Sequence, residues 1–234
     1  MAPLLTFDDL VVRYGDIPAL AGVSFAMDEG ETLALVGANG AGKSTLLKAL
    51  CGLVDRWEGG ISLDGTVIKP GQVERTTARG IALVPEGRLL FNSLTIEENL
   101  KIGQTSRQGR WSLDEIYALF PILHERRRQN PGHLSGGQQQ MVAIGRALAS
   151  NPRLLLCDEI SLGLSPKVTE DVYAALASIR ASGVSLLIVD QDIARVCSRA
   201  DRMVCMLKGR VSHISPAAGV TAHTLRDAYF GAAQ

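Results

Sequence analysis

The chain has 234 residues, of which 46% are apolar and only 5% aromatic, enough for one large domain or two small ones with an aliphatic core. Its 24 Lys and Arg residues equal its 24 Asp and Glu residues, a balance that excludes an electrostatic footprint for nucleic acid or an anionic membrane. No apolar run approaches the ~20 residues that span a bilayer, and two aspartates precede any stretch resembling a signal sequence. Any membrane role is therefore expected to come through a partner.

Cysteine and histidine usage argues against disulfides and metal clusters. The cysteines lie in apolar stretches without a C-x-x-C pair, so we expect buried free thiols in a reducing cytoplasm: Cys51, Cys157, Cys197 and Cys205. The histidines show no metal-ligand spacing.

Two strands are predicted first, over residues 4–13 and 19–28, with a turn at Gly15–Pro18. They are expected to form a small antiparallel layer. Tyr14 lies at the turn, where an aromatic ring either stacks on a purine or packs locally at a strand end.

A glycine-rich loop follows the apolar strand Leu33–Val36 and opens into a segment of helical periodicity. Residues Gly37 to Ser44 match G-x-x-x-x-G-K-[ST], the P-loop. Glycines let successive backbone N–H groups face phosphate oxygens, and the helix start adds its positive dipole. Lys43 can reach the β- and γ-phosphates, and the Ser44 hydroxyl can ligate Mg²⁺. This stretch predicts nucleotide phosphate binding.

The middle of the chain is predicted to be mainly helical. A hairpin with Asp64–Gly65 at its turn, a short helix over 73–79 and a strand at Ile81–Val84 come first. Residues 86–149 then read as a helical insertion into an α/β core. The basic run 126–128 is interpreted as a solvated helix face, with a partner-docking site as the minor alternative.

The last third alternates strand and helix, which predicts a largely parallel sheet and one continuous domain over 1–234. Strands are expected at Leu154–Cys157, Val184–Val189, Met203–Leu207 and Val211–Ile214, and helices at Pro166–Ala181 and from Ile193.

Two acids end the apolar strand at Leu154–Cys157. In P-loop proteins an acid at such a position holds Mg²⁺, which fits Asp158. Glu159, one position on, is suited to polarising an attacking water as general base.

A second anion-binding element is predicted at residues 134–138, LSGGQ. Ser135 and two glycine N–H groups at the start of a helix over 138–149 would form a phosphate nest. Two phosphate sites in one chain suggest a two-fold dimer, in which each nucleotide is held by one chain's P-loop and the other chain's nest.

With these motifs the sequence closely resembles, over essentially its whole length, the ATP-binding subunits of ABC transporters. The resemblance implies a P-loop NTPase of the ABC ATPase type: a RecA-like parallel sheet core, an N-terminal antiparallel β layer and a helical subdomain over 86–149. It implies ATP and Mg²⁺ as ligands, with Tyr14 stacking on adenine, Asp158 as the Walker B aspartate and Glu159 as the catalytic glutamate. The remaining nucleotide contacts implied are Gly37, Ala38, Asn39, Gly40, Ala41, Gly42, Lys43, Ser44 and Thr45 in Walker A, and Ser135, Gly136, Gly137 and Gln138 in the signature motif.

Three positions depart from the family's general pattern. Glu86 stands where glutamine is usual, Gln191 where a histidine contacts the γ-phosphate, and Ser165 where an aspartate follows Walker B. A carboxylate at Glu86 can bind Mg²⁺ or its water but repels phosphate oxygens. Gln191 can donate a hydrogen bond but cannot hold or relay a proton. We assign both residues a place in catalysis. These departures are also compatible with a weakened ATPase activity.

The departures also form a recognisable set. Together they resemble the smaller ATPase of branched-chain and hydrophobic amino-acid uptake systems, on four features: VPEGR, DExSLGL, the glutamine at 191 and the closing RDAYFG. Ile160 differs, because proline is usual at that position. That resemblance implies a second, non-identical ATPase subunit, membrane permease subunits, an indirect solute-binding protein and a place at the inner face of the membrane. Urea, amide or other small-solute uptake is the nearby alternative. A soluble ABC-type ATPase acting on DNA or the ribosome, and a regulatory binder that does not hydrolyse ATP, are the more distant ones.

Three apolar residues follow Glu86 closely: Leu89, Leu90 and Phe91. They read either as the surface that docks on the permease or as core of the helical subdomain.

Overall fold

The computed structural model describes residues 2–105, 107–190, 192–218 and 220, and the chain divides into two compact units. The first unit comprises the described residues up to Thr76 and from Ser185 onward, and the second runs from Thr77 to Val184. In chain order the elements are β1 (Leu5–Tyr14), β2 (Ile17–Met27), β3 (Thr32–Gly37), α1 (Lys43–Leu50), β4 (Glu58–Leu63), β5 (Thr66–Val67), α2 (Val73–Ala78), β6 (Ile81–Val84), α3 (Ile96–Ile102), α4 (Leu113–Leu119), α5 (Pro121–Glu125), α6 (Gly136–Leu148), β7 (Leu154–Asp158), α7 (Pro166–Ala181), β8 (Ser185–Val189), α8 (Ile193–Cys197), β9 (Arg202–Leu207) and β10 (Arg210–Pro216).

An antiparallel sheet in the first unit has the strand order β2-β1-β4-β5, which confirms the predicted N-terminal layer. Its first turn is tighter than predicted, because Tyr14 pairs with Ile17 and leaves only Gly15 and Asp16 between the strands. The predicted turn at Asp64–Gly65 is confirmed, with both residues in the left-handed region (φ 51° and 68°) that such hairpins require.

The P-loop strand β3 lies at the centre of the first unit's second set of strands. It pairs in parallel with β8 on one side and β9 on the other, and β10 pairs antiparallel with β9. Every residue of β3 is buried, as expected of a strand covered on both faces. The largely parallel arrangement predicted for this part of the chain is confirmed.

The second unit contains the parallel pair β6–β7, helices α3 to α7 and a 3-10 turn at Pro131–His133. The helical stretch after residue 112 is interrupted at Phe120 (φ −128°, ψ 77°), because the residue before Pro121 is pushed out of the helical region. Helix α6 starts at Gly136, two residues earlier than predicted. It is packed closely: a Cβ on Gly145 would lie 2.8 Å from the Leu100 side chain and 2.9 Å from that of Ile116.

All four cysteines are buried free thiols, as predicted. Burial raises the pKa of the Cys51 thiol to about 12, so this thiol stays protonated and inert at neutral pH. Within the described residues, no helix combines the length and the apolar character that crossing a bilayer would take.

We predict that Leu35→Ala lowers the free energy of unfolding by about 2–5 kcal/mol, because Leu35 is fully buried in β3 and the substitution leaves a cavity. Urea unfolding measures this change. The matched control is Leu53→Ala, whose side chain is 53% exposed and which should change stability by no more than about 0.5 kcal/mol. Equal effects at the two positions would contradict the placement of β3.

Candidate functional site

The P-loop runs from the end of β3 to the start of α1 with left-handed backbone at Gly37 (φ 152°), Gly40 (78°) and Gly42 (101°). Helix α1 begins directly after Gly42, and no side chain caps it through that residue, an arrangement typical of an anion-binding helix start. The Lys43 ammonium donates to the carbonyl oxygens of Gly37 (2.7 Å) and Ala38 (3.0 Å) and is only 7% exposed. The predicted Walker lysine is therefore folded into its own loop.

The other loop residues differ in exposure. Ala38, Asn39 and Gly40 are exposed, Ala41 is buried, and Ser44 and Thr45 are half-buried in the first turn of α1. The surface that this loop offers to a ligand is thus its backbone at residues 38–40 together with the first turn of the helix.

Two of the P-loop glycines leave no room for a side chain. A Cβ on Gly37 would overlap the carbonyl oxygen of Met206 in β9, and a Cβ on Gly42 would lie 2.7 Å from the carbonyl oxygen of Ala19 in β2. The loop is thus held between the backbones of two strands, which explains why glycine is required at both ends.

A residue pair that belongs to none of the sequence motifs completes this support. Lys208 (φ 48°) and Gly209 (φ 75°) form the two-residue turn between β9 and β10. The Gly209 N–H donates to the carbonyl of Ala41 in the P-loop (3.1 Å), and the Gly209 carbonyl accepts from the N–H of Ala21 in β2 (2.8 Å). The signal in the sequence is the Lys-Gly pair between two short strands, which is typical of a hairpin turn.

Tyr14 ends β1 with its side chain 53% exposed. Its partner Ile17 begins the strand β2 that reaches the P-loop two residues later, at Ala19. Tyr14 is therefore exposed at the turn of a hairpin whose second strand contacts the P-loop.

In the second unit, β7 ends in the two predicted acids. Asp158 is the last residue of the strand and only 7% exposed, while Glu159 follows in the left-handed region (φ 47°). A non-glycine residue in that region is strained, and such residues concentrate at functional sites. Burial, reinforced by the Asp158 charge, raises the pKa of the neighbouring Cys157 thiol.

The signature residues form a capping box at the start of α6. The Ser135 hydroxyl accepts from the Gln138 N–H (3.3 Å), and the Gln138 side-chain oxygen accepts from the Ser135 N–H (3.1 Å). This box explains why α6 begins at Gly136. Ser135, Gly136, Gly137 and Gln138 thus occupy one helix start, as the sequence predicts, and the serine hydroxyl is engaged within it.

The two signature glycines have different surroundings. A Cβ on Gly137 would overlap the Val168 methyl group in α7, so this glycine is needed for the close approach of the two helices. A Cβ on Gly136 would lie 3.3 Å from the flexible end of Arg88 and 3.8 Å from a Leu164 methyl, which is ordinary contact.

The remaining predicted positions are distributed as follows. Glu86 is exposed two residues beyond β6, and Ser165 is the N-cap of α7 with Pro166 as its first helical residue. Of the three residues after Glu86, Leu89 and Phe91 are exposed and Leu90 is half-buried. Gln191 and the closing RDAYFG segment lie outside the described residues.

Comparison with known proteins identifies the family in which this P-loop and these acids occur. A family profile described as "ABC transporter" matches residues 20–161, from β2 through Walker B. The chain belongs to the ABC transporter family. It is an ATP-binding ATPase of that family, with the fold predicted from its motifs.

One relative resembles the chain over its whole length. The chain is 43% identical, over 97% of its residues and all of the relative's, to the high-affinity branched-chain amino acid transport ATP-binding protein BraG of Pseudomonas aeruginosa.

Solved structures agree in fold. The ATP-binding subunit of an ABC transporter superposes with a TM-score of 0.78 at 32% identity, covering 91% of this chain and 90% of its own. A dimeric ATP-binding cassette in a post-hydrolysis state, bound to ADP and Pi, has a TM-score of 0.79 at 26% identity and covers 92% of this chain and 100% of its own.

We predict that Gly137→Ala lowers the free energy of unfolding by about 1–3 kcal/mol, because the new methyl overlaps Val168. The double variant Gly137→Ala/Val168→Ala should recover most of that loss, since the smaller side chain makes room. Gly136→Ala is the control and should change stability by less than about 0.5 kcal/mol. Thermal unfolding of the three variants measures the effects, and a double variant no more stable than the single one would contradict the contact.

Proposed function

We propose that this chain is the ATP-hydrolysing subunit of an importer for branched-chain or other hydrophobic amino acids, bound to the cytoplasmic face of the membrane through permease subunits. The observation that carries the proposal is the 43% identity to BraG across both chains. The residue set VPEGR and DExSLGL, with glutamine at 191, supports the same subgroup.

The first unit supplies the nucleotide contacts in this proposal. Tyr14 stacks on adenine, and the exposed backbone at residues 38–40 with the first turn of α1 receives the phosphates. Lys43 already has its ammonium inside the loop, at Gly37 and Ala38, so it needs little rearrangement to contact the β- and γ-phosphates.

The residues present fit a magnesium ion shared with ATP. The described parts of the chain contain no group of three or more His, Cys, Asp or Glu residues able to hold a metal alone. Mg²⁺ typically takes one or two protein oxygens and completes its shell with phosphates and waters. Asp158 and the Ser44 hydroxyl, with Glu86 directly or through water, are the oxygen donors that we assign to it. When bound, Mg²⁺ neutralises charge on the phosphates.

The chemical step that we propose needs a base for water. Glu159 removes a proton from the attacking water, which adds to the γ-phosphorus as the bond to the β-phosphate oxygen breaks, releasing ADP and phosphate. Gln191 would donate a hydrogen bond to the γ-phosphate. Because an amide cannot carry the proton, that task stays with Glu159.

A facing subunit would complete each site. Ser135, Gly136, Gly137 and Gln138 form a helix start on a unit different from that of the P-loop, as expected if they serve the nucleotide of the other chain. The resemblance to a dimeric cassette at 26% identity supports dimerisation. Because Glu86 and Gln191 replace the glutamine and the histidine that are usual at these positions, we propose that the facing subunit is a non-identical ATPase.

We predict that Glu159→Gln keeps ATP affinity and lowers turnover by about 10²–10⁴-fold, because the amide preserves shape but cannot take a proton. Nucleotide binding by calorimetry and phosphate release from the assembled transporter measure the two quantities. Glu125→Gln, an exposed carboxylate in the same unit, is the control and should leave both unchanged. Unchanged turnover in Glu159→Gln would remove Glu159 as the base.

Uptake in cells lacking this gene tests the solute class. We expect uptake of labelled leucine, isoleucine and valine to be lost, and to return with the unsubstituted chain but not with Glu159→Gln. Uptake of urea and short amides should be unaffected. Loss of urea or amide uptake with intact leucine uptake would replace the amino-acid proposal by the small-solute alternative.

A further inference from the structure

The segment that follows Glu86 has an unusual backbone. Gly87 (φ 71°), Arg88 (φ 68°) and Leu89 (φ 44°) are consecutive left-handed residues, and two of them are not glycine. Such a conformation is unfavourable in isolation and persists only where the surroundings hold it. We call residues 87–91 the apolar loop, because it presents Leu89 (67% exposed) and Phe91 (49% exposed) to solvent.

One side chain from α6 holds the first part of the apolar loop. The Arg146 guanidinium donates to the carbonyl oxygens of Leu89 (2.8 Å) and Arg88 (2.9 Å), and it lies 5.6 Å from the centroid of the Phe91 ring. A planar guanidinium can donate to two adjacent carbonyls while facing a ring, whereas a lysine ammonium is a point charge without that fork.

A second side chain, from α3, holds the end of the apolar loop. Asn99 is completely buried, and its amide donates to the Phe91 carbonyl (3.0 Å) and accepts from the Phe91 N–H (3.0 Å). The backbone of the apolar loop is therefore bonded at Arg88, Leu89 and Phe91, although two of its side chains are exposed. Exposed apolar side chains on a fixed backbone are typical of a preformed contact surface.

The apolar loop also contacts the other end of α6. The Arg88 guanidinium donates to the Gln139 side chain (3.5 Å) and lies 3.3 Å from the Cβ position of Gly136. Arg146 lies ten residues beyond Gly136, so the loop is attached to both the first and the last turns of the helix that begins with the signature motif. A displacement of the loop would therefore be transmitted along a rigid helix.

We propose that Arg146 is a positioning residue that fixes the apolar loop to the signature helix, so that a membrane subunit seated on Leu89 and Phe91 moves the loop and the signature motif together. The proposal rests on the transport function proposed above. Arg146 contacts neither nucleotide nor metal in this scheme. It acts through the carbonyls of Arg88 and Leu89.

Hydrogen–deuterium exchange on the full chain tests the positioning directly. In Arg146→Gln and Arg146→Lys, peptides covering 87–92 should exchange about tenfold faster, because neither side chain reproduces the two-carbonyl fork. Arg110→Gln is the matched control: Arg110 lies at the same 5.6 Å from a ring, that of Trp111, but is not bonded to the apolar loop. Unchanged exchange at 87–92, or a uniform increase over all of α3 and α6, would overturn the proposal. Arg146→Lys serves as the test if Arg146→Gln does not fold.

ATP turnover with the membrane subunits of its own transport system tests the coupling. We expect the Arg146 variants to keep the KM for ATP while the kcat of the assembled transporter falls about tenfold, a size typical of lost coupling between sites. A rise in the KM for ATP as large as the fall in kcat, or an unchanged kcat, would contradict a positioning role. Absence of turnover in the unsubstituted assembly would instead reject the transport function, and the exchange experiment would still decide the role of Arg146.

Discussion

The P-loop of this protein depends on a steric constraint: two backbone carbonyls approach it so closely that a side chain cannot fit. Met206 in β9 closes on Gly37, and Ala19 in β2 closes on Gly42. Because both strands belong to the same unit as α1, the loop is held in its phosphate-binding shape by the strands around it. Gly209 hydrogen-bonds to Ala41 in the P-loop and to Ala21 in β2. The turn at Gly209 therefore stabilises both the P-loop and the second strand of the Tyr14 hairpin.

Helix α6 has the corresponding role in the second unit. Its small residues let neighbouring helices approach: Gly137 accommodates Val168 of α7, and Gly145 accommodates Leu100 of α3 and Ile116 of α4. Its first turn is closed by the Ser135–Gln138 capping box, and its last turn carries Arg146. Helix α6 therefore combines a helix start suited to an anion with close packing against three neighbouring helices, at Gly137 and Gly145. Substitution of Gly137 should therefore affect stability as well as chemistry.

Most of the fold could be predicted because its signals are local. Buried strands read as apolar runs, α7 was predicted at the bounds that the structure shows, and the Asp64–Gly65 turn has its own sequence signal. The predicted and observed helices differ at their boundaries, which are determined by single residues. Ser135 caps α6 two residues before the predicted start, and Phe120 breaks a helix because proline follows it.

The sequence by itself determined the family and the chemical groups of the candidate site, because phosphate binding needs residue types at set spacings, as in Gly37 to Ser44 and Asp158–Glu159. Only the tertiary structure decided how those groups are supported. The overlap at Gly137 with Val168, the turn at Gly209 beneath Ala41 and the Arg146 fork on the apolar loop join residues far apart in the chain. Such contacts depend on backbone approach and left-handed φ angles, and neither periodicity nor motif spacing records them.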